Sequence, residues 1–303
     1  MNRDHLPKMI FVVGAPRSGS SLLLDFLTVH KNVGWIPQTL DANPAKLSLA
    51  SSANRLNWPF LGEFFLERRS VWERVPEPAN GDGFWSYYLK HFAPVDTQPF
   101  VPGPEHLLEG EGDAVIEAVK EICYRQRRDT FVAEFNGFPR IRMMREIFPD
   151  AIFLQVIRDP RSVAYQMVRR TESVNHALWK ERKKWIALMP GPLQERLQSL
   201  PETPLNFCGI LVRWYHDLYR IEMGELPPDR GLEVAYSDLL SRPDWMMKKV
   251  MNFLDFPLNK RFRYFLKFHN IQFSNRRTQR NLNTEEAKQL AQAVAAIEPT
   301  SAS

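Results

Sequence analysis

Cysteine is scarce in this chain, which has two in 303 residues, Cys123 and Cys208. Two cysteines do not make the disulfide framework of a small secreted domain, and their separation is not that of metal ligands. We therefore expect both to be buried thiols in a reducing compartment. Net positive charge is also low, at +5. It suits an anionic ligand but is not the concentrated basic surface of a nucleic-acid-binding protein, so no nucleic-acid partner is expected.

Long apolar segments are absent as well. No uninterrupted run approaches the roughly 20 residues that a membrane helix needs, and the first strand-like run begins at Met9, which leaves no room for a signal peptide. We therefore expect a cytoplasmic protein without a membrane span. Repeats and low-complexity segments are not found either, and the length predicts a single domain over 1–303 with a disordered tail at 296–303.

The most informative segment is Met9–Leu27, MIFVVGAPRSGSSLLLDFL. Its apolar run ends at Gly14, and a loop of small residues around Arg17 leads into a helix-like stretch. Strand, glycine-bounded loop and helix form the arrangement in which α/β proteins bind phosphate, because backbone N–H groups and the helix N-terminus face the anion. Gly14 and Gly19 allow positive φ and a close approach of the backbone to the ligand.

This loop departs from the common ATP-binding motif at one position. Gly14 and Gly19 have the spacing of G-x-x-x-x-G-K-[ST], but Ser20 stands in place of the lysine, and the cation of the loop is Arg17. A loop that clamps a magnesium triphosphate needs that lysine. We therefore expect a ligand with a shorter charged tail that requires no metal. The alternative is a glycine turn without any ligand.

A second informative segment is Ala151–Arg170, AIFLQVIRDPRSVAYQMVRR. Its apolar run predicts a strand buried on both faces of a parallel sheet, and Arg158 follows at the carboxyl end, where open α/β sheets bind ligands. The dipeptide Asp159-Pro160 predicts a turn into a new helix. Arg158 can make a bidentate contact to a second phosphate; a salt bridge to an acid such as Asp159 is the alternative.

Strand-like runs alternate with helix-like stretches as a parallel sheet requires. The predicted strands are Met9–Val13, Val33–Ile36, Phe131–Phe135, Ala151–Ile157 and Leu232–Ala235. The clearest predicted helices between them are Asp113–Arg128, Ile141–Ile147 and Arg161–Arg170. This alternation predicts a three-layer α/β/α P-loop-type fold with a central parallel sheet.

Taken in order, these segments resemble the PAPS-dependent sulfotransferases, in the style of the bacterial and tyrosylprotein branches. GAPRSGSS at 14–21 is similar to the family's 5′-phosphosulfate loop, and VIRDPRSVAYQ at 156–166 is similar to its 3′-phosphate segment. LEVAYSDLL at 232–240 is similar to the late strand and turn in which a tyrosine, here Tyr236, packs by the nucleotide. The resemblance extends from Met9 to about Leu258.

The resemblance implies a sulfotransferase that moves a sulfonate group from PAPS (3′-phosphoadenosine 5′-phosphosulfate) to a hydroxyl or amine, releases PAP and uses no metal. Arg17 is then expected to stabilise charge on the leaving group. The residues expected to bind the donor are Arg17, Ser18, Gly19, Ser20, Ser21, Arg158, Gln166, Tyr236 and Arg276. Gln166 stands where the family usually has serine. Arg276, with Arg277 and Arg280, forms either a basic loop over the nucleotide or a solvated basic surface.

A general base must also take the proton of the acceptor hydroxyl. The family places a histidine or glutamate near the end of a central strand, or a glutamate shortly after the first helix. Glu134, on a short apolar strand, is our first candidate, and Asp41 is the second. Asn136 lies nearest the position of the family's histidine, and an amide cannot act as a base. Alternatively, Glu134 is a strand-end carboxylate paired with Arg140 or Arg142.

Two segments rich in aromatic residues, 38–112 and 176–219, are predicted to be inserts on the acceptor side. Three interpretations are open for them: an apolar pocket for a lipid, polyketide or aromatic alcohol, stacking faces for a glycan, or satellite cores that bind nothing. Two other functions stay open. One is a P-loop kinase-like enzyme, disfavoured by Ser20 and by the lack of a clear Walker-B acid. The other is an inactive PAP-binding protein of the same fold.

Overall fold

A five-stranded sheet lies at the centre of the computed structural model, which describes residues 5–57, 77–90, 92, 107–169, 175–257 and 284–295. The strands are β1 Lys8–Gly14, β2 Val33–Gly34, β3 Thr130–Asn136, β4 Ile152–Ile157 and β5 Gly231–Ala235. They pair in the order β2-β3-β1-β4-β5, and every pair is parallel. Each strand lies at a run that the sequence predicts.

Helices connect these strands. The first part of the chain contains α1 Ser20–Thr28, α2 Gln38–Asp41, a 3-10 helix at Leu47–Asn57, α3 Asp82–Tyr88, α4 Glu111–Gln126, α5 Ile141–Ile147 and α6 Pro160–Arg169. The second part contains α7 Asn175–Lys180, α8 Arg182–Leu188, α9 Gly191–Gln198, α10 Pro204–Gly224, α11 Tyr236–Ser241, α12 Pro243–Leu254 and α13 Thr284–Val294. The longest helix of the described ranges, α10, is capped by the preceding Thr203, whose side chain accepts a hydrogen bond from the Asn206 N–H.

The sheet separates two apolar cores because successive side chains of a strand point to opposite faces. On one face, Phe11 and Val13 of β1 belong to a core shared with α4, α5, α6 and α10. On the other face, Ile10 and Val12 belong to a core shared with α1 and α12. The chain therefore forms the three layers predicted from its alternating strands and helices.

The carboxyl ends of four strands meet at one edge of the sheet. In the β1–β3 register Gly14 is opposite Asn136, and the Gly137 N–H donates to the Gly14 carbonyl at 3.0 Å. Arg158 follows β4 directly, and Tyr236 follows β5. Segments far apart in sequence are thus brought to the edge where open α/β sheets bind their ligands.

Aromatic residues of the two predicted inserts pack into the core where the structure describes them. Trp85 contacts Phe135 with a ring-centroid distance of 5.1 Å. Trp185 and Trp214 surround Phe138 at 5.7 and 4.8 Å. Other aromatic residues of the first insert lie outside the described residues; these are Trp58, Phe60, Phe64, Phe65 and Trp72.

Both cysteines are buried free thiols, as the sequence predicts. None of the helices in the described ranges has the length and apolar character needed to cross a membrane. The predicted disordered tail at 296–303 lies outside the described residues.

Candidate active site

The loop between β1 and α1 has glycine at both ends, and neighbouring atoms crowd each position. Gly19 precedes α1 with φ at 101°, and a Cβ added there would lie 2.3 Å from Cδ2 of the Tyr236 ring. A Cβ added at Gly14 would lie 2.4 Å from Oγ of Ser18. Arg17 also has positive φ, at 67°, which turns the loop over the end of the strand. The loop is thus a tight cradle at the N-terminus of a helix.

Ser18 supplies a polar group inside this cradle. Its side chain is only 2% exposed, and in the described part of the chain its hydroxyl has no hydrogen-bond partner. Buried hydroxyls are normally hydrogen-bonded, so an unsatisfied one beside a helix N-terminus fits an anionic ligand. The residues present therefore fit a phosphate or sulfonate group at this loop.

Arg158 lies beside the loop rather than in an ion pair with its neighbour. Its Nη1 donates to the Arg17 carbonyl at 2.9 Å, and its guanidinium carbon lies 4.4 Å from the centre of the Tyr236 ring. Asp159 instead pairs with Arg161, at 3.2 Å. Burial lowers the pKa of Arg158, and the nearby Tyr236 and Asp159 raise it. The structure thus brings together Arg17, Gly19, Arg158 and Tyr236.

Two further residues are expected to bind the donor, and the structure describes one of them. Gln166 lies on the second turn of α6 and is partly exposed. Arg276 lies outside the described residues, together with Arg277 and Arg280.

Glu134 is tied to the first turn of α1 by a short hydrogen-bond network. Its Oε1 accepts from the Ser21 hydroxyl at 2.9 Å and from the Asn136 amide at 2.8 Å. The Asn136 amide oxygen in turn accepts from the Ser20 hydroxyl at 2.6 Å. Burial raises the pKa of the Glu134 carboxyl, whereas hydrogen bonds from Ser20, Ser21 and Asn136 lower it. A deeply buried carboxylate is therefore placed directly against the loop.

The competing interpretations of Glu134 involve partners that the structure places elsewhere. Arg142 pairs with Glu225, and the Arg140 guanidinium lies 4.2 Å from the centre of the Phe92 ring. Between Glu134 and these two arginines, all of them described residues, there is no ion pair. Asp41, the second candidate for the base, accepts a hydrogen bond from the Phe84 N–H at 2.7 Å. Its carboxylate thus accepts from a backbone N–H in the first turn of α3.

Tyr219 belongs to this site and was not predicted from the sequence. Its hydroxyl on α10 is fully buried; it accepts from the Gly14 N–H at 3.1 Å and donates to the Gly14 carbonyl at 3.2 Å. Desolvation raises the pKa of this hydroxyl. No sequence signal distinguishes it from the other aromatic residues of the same helix.

Metal ligands do not cluster in the described ranges: no three His, Cys, Asp or Glu side chains there are arranged to hold an ion. The polar groups at the edge of the sheet are hydroxyls, amides, guanidinium groups and one carboxylate. Together with the parallel sheet, they define an α/β protein that binds an anionic ligand at the loop after its first strand.

The chain belongs to the sulfotransferase family, whose family model matches residues 7–260. It is 26% identical over 139 residues to the omega-hydroxy-beta-dihydromenaquinone-9 sulfotransferases Stf3 of Mycobacterium bovis and Mycobacterium tuberculosis. That match covers 45% of this chain and 31% of each relative. The family predicted from the sequence motifs is therefore confirmed, and the chain matches less than a third of these relatives' length.

Solved structures of mycobacterial sulfotransferases have the same fold. Sulfotransferase STF9 of Mycobacterium avium is 14% identical, with a TM-score of 0.59 over 94% of this chain and 75% of that protein. Sulfotransferase STF1 of Mycobacterium tuberculosis is 11% identical, with a TM-score of 0.54 over 96% of this chain and 77% of that protein. The predicted three-layer α/β/α fold is thereby confirmed.

Proposed function

We propose that this protein transfers a sulfonate group from PAPS to a hydroxyl or amine of an acceptor and releases PAP. The observation that carries the proposal is the meeting of two cationic positions, Arg17 and Arg158, around a glycine cradle that contains the buried hydroxyl of Ser18. PAPS has two separate anionic ends. A single triphosphate clamp would instead need a lysine, and Ser20 stands in its place.

The proposed roles follow from this arrangement. The loop residues Ser18, Gly19, Ser20 and Ser21 bind the 5′ end of the donor, and Arg158, Tyr236, Gln166 and Arg276 bind the nucleoside and its 3′-phosphate. The donor supplies an activated sulfonate whose sulfur is attacked by the acceptor oxygen. Arg17 stabilises the negative charge that develops on the leaving oxygen. Glu134 takes the acceptor proton. None of these roles involves a metal.

For the acceptor, we propose an apolar molecule carrying a hydroxyl, such as a lipid, polyketide or aromatic alcohol, rather than a nucleic acid. We assign the apolar surface to the inserts 38–112 and 176–219 of a single domain, in which Trp85, Trp185 and Trp214 themselves pack into the core. The curated relatives are named for a hydroxylated dihydromenaquinone, which is a lipid, and this supports the choice. We also propose a cytoplasmic location, which suits the two buried free thiols. Exclusive activity on polar glycans in an acceptor screen would contradict the apolar assignment.

Calorimetry of PAP binding without metal is the direct test of the donor. We expect PAP to bind and to lose at least tenfold in affinity when the 3′-phosphate is removed, as in 5′-AMP, because one cation then has no partner. The Arg158→Ala variant should lose the preference for PAP over 5′-AMP. A preference of the wild type for ATP·Mg²⁺ would contradict the proposal. Binding of PAP without turnover of any acceptor would identify an inactive relative.

One contact favours a second candidate, a kinase-like enzyme. In P-loop enzymes a hydroxyl at the start of the loop helix and an acid on a neighbouring strand together hold Mg²⁺. The Ser21 hydroxyl and Glu134 are 2.9 Å apart and come from these two elements. The comparison with ATP·Mg²⁺ therefore belongs in the same experiment.

A further inference from the structure

We propose that Asn136 is a positioning residue, which fixes the orientation of Glu134 and holds it in register with the donor loop; this inference rests on the proposed function. Asn136 is the last residue of β3 and lies opposite Gly14 in the neighbouring strand. β3, which carries Glu134, and β1, which leads into the loop, therefore end side by side at Asn136.

Asn136 acts both as a hydrogen-bond donor and as a hydrogen-bond acceptor. Its amide nitrogen donates to Oε1 of Glu134, at 2.8 Å, and its amide oxygen accepts from the Ser20 hydroxyl, at 2.6 Å. An amide can do both at once because it carries a donor and an acceptor on one planar group. A carboxylate, which only accepts when it is ionised, would not supply this pair. Asn136 thus connects the carboxylate to the first turn of α1.

The same contacts decide which carboxylate oxygen is available to an acceptor. Ser21 and Asn136 both donate to Oε1. Neither of these two donors reaches Oε2 of Glu134. The carboxylate is therefore held by one oxygen, and the other keeps its lone pairs for the proton of an acceptor hydroxyl. Fixing a catalytic group in this way avoids a search through other rotamers during the reaction.

Two other titratable groups interact with Glu134 and must be considered in a test of its pKa. Asp25, on α1, raises the pKa of Glu134, and the carboxylate in turn acts on Tyr219 of α10. Donors on Ser20, Ser21 and Asn136 oppose the effect of burial. Removal of the Asn136 donor should therefore move the titration of Glu134 to higher pH, while Asp25 and Tyr219 stay in place.

Two variants separate the tasks of Asn136. Asn136→Ala removes both contacts, whereas Asn136→Asp keeps an oxygen for Ser20 and loses the donor to Glu134. We expect both to lower kcat by about 10- to 100-fold, the loss typical of a misplaced catalytic group, with PAP affinity within about threefold of wild type. The acid limb of the kcat profile should move to higher pH, further in Asn136→Asp because a second carboxylate is added.

A double variant distinguishes positioning from a purely structural role. In the Glu134→Gln background, Asn136→Ala should lower kcat no further, because the residue acts through Glu134. Asn54→Ala is the matched control, since that partly buried amide donates to the Arg125 carbonyl at 2.8 Å, away from the site. Equal losses of kcat from Asn136→Ala with and without Glu134 would overturn the proposal.

Infrared titration of the Glu134 carboxyl gives a readout that does not require turnover. The band is identified as the one absent from Glu134→Gln, and we expect its midpoint to rise in Asn136→Ala. An unchanged midpoint would overturn the proposal even if transfer activity is present. If the midpoint shifts but the protein binds no PAP and turns over no acceptor, the contact between Asn136 and Glu134 is supported and the proposed function is refuted.

Discussion

At the scale of single residues, this site relies on hydroxyl and guanidinium groups where a triphosphate-binding loop relies on lysine and a metal. Ser20 occupies the lysine position, and its hydroxyl is engaged by Asn136 rather than exposed. Charge is supplied from Arg17 inside the loop and from Arg158 beside it. Because guanidinium groups keep their charge at all physiological pH values, the binding of two anionic ends needs no titrating cation.

Arg17→Ala should lower kcat by about 10²- to 10³-fold, as for other losses of a group that stabilises developing charge. The backbone at this position already has φ at 67°, and alanine meets the same steric restriction as arginine, so the fold should be retained. Steady-state turnover checks this. Arg161→Ala, which removes an arginine with a 52% exposed side chain, is the control. Turnover like wild type in Arg17→Ala would refute the assigned role.

Tyr219→Phe should lower the free energy of unfolding by about 1–3 kcal/mol, because the Gly14 N–H loses its acceptor inside the core. Urea denaturation measures the loss. Tyr87→Phe, at a tyrosine that is 56% exposed, should be nearly neutral. Equal stability of the two variants would mean that the buried hydroxyl contributes nothing to the loop.

At the scale of elements, the sequence predicts those parts of the fold that local patterns determine. β1 and β4 are predominantly apolar and are found within two residues of their predicted bounds. β2 is shorter than predicted because the backbone N–H and carbonyl of Trp35 bond to the Gln126 side chain instead of to a neighbouring strand. That contact joins residues 91 apart in sequence, so no local pattern reveals it.

Some residues of the candidate site can likewise be predicted from local sequence patterns, and others cannot. Gly14, Arg17 and Gly19 follow from the loop motif, and Arg158 follows from its place after an apolar strand. The contact of Tyr219 with Gly14 spans 205 residues, and that of Ser20 with Asn136 spans 116. Such contacts depend on how helices and strands pack, which a single sequence does not specify.

The two glycines that precede α1 and α4 allow a matched test of the loop. Gly19 has φ at 101° and faces the Tyr236 ring, whereas Gly110 has φ at 82° and no heavy atom within 4 Å of an added Cβ. Gly19→Ala and Gly110→Ala should each cost about 1–2 kcal/mol of stability through the left-handed backbone. We expect PAP affinity to fall by at least tenfold in Gly19→Ala alone, because the ring must move. Calorimetry checks this, and an equal loss in Gly110→Ala would contradict it.

At the scale of the whole molecule, the site joins all three layers of the fold. The loop belongs to β1 and α1, Glu134 comes from the sheet, and Tyr219 comes from α10 in the opposite helical layer. A buried carboxyl placed among these layers costs stability when it is charged, unlike an apolar side chain of similar size. The free energy of unfolding of the protein should therefore depend on whether the Glu134 carboxyl is charged.

Glu134→Gln should stabilise the protein increasingly as the pH rises. Burial raises the folded-state pKa of Glu134 above its ordinary value of 4.5, so the folded wild type keeps a proton that the unfolded chain has lost. Its stability then falls as the pH rises from 4.5 through the folded-state pKa, and glutamine removes that contribution. Asp41 and Glu222, whose pKa values are also raised by burial, titrate in both proteins and cancel in the difference.

Urea denaturation of the wild type and Glu134→Gln, from about pH 4.5 to pH 8, measures this difference. Near the lower limit both proteins carry an uncharged side chain in the folded state, so their free energies of unfolding should be closest. Glu117→Gln, at a 72% exposed side chain on α4, is the control and should follow the wild type at every pH. A constant difference between Glu134→Gln and the wild type would mean that the buried carboxyl does not change its charge on folding. Glu134 would then lack the raised proton affinity that suits it to accept a proton from an acceptor hydroxyl.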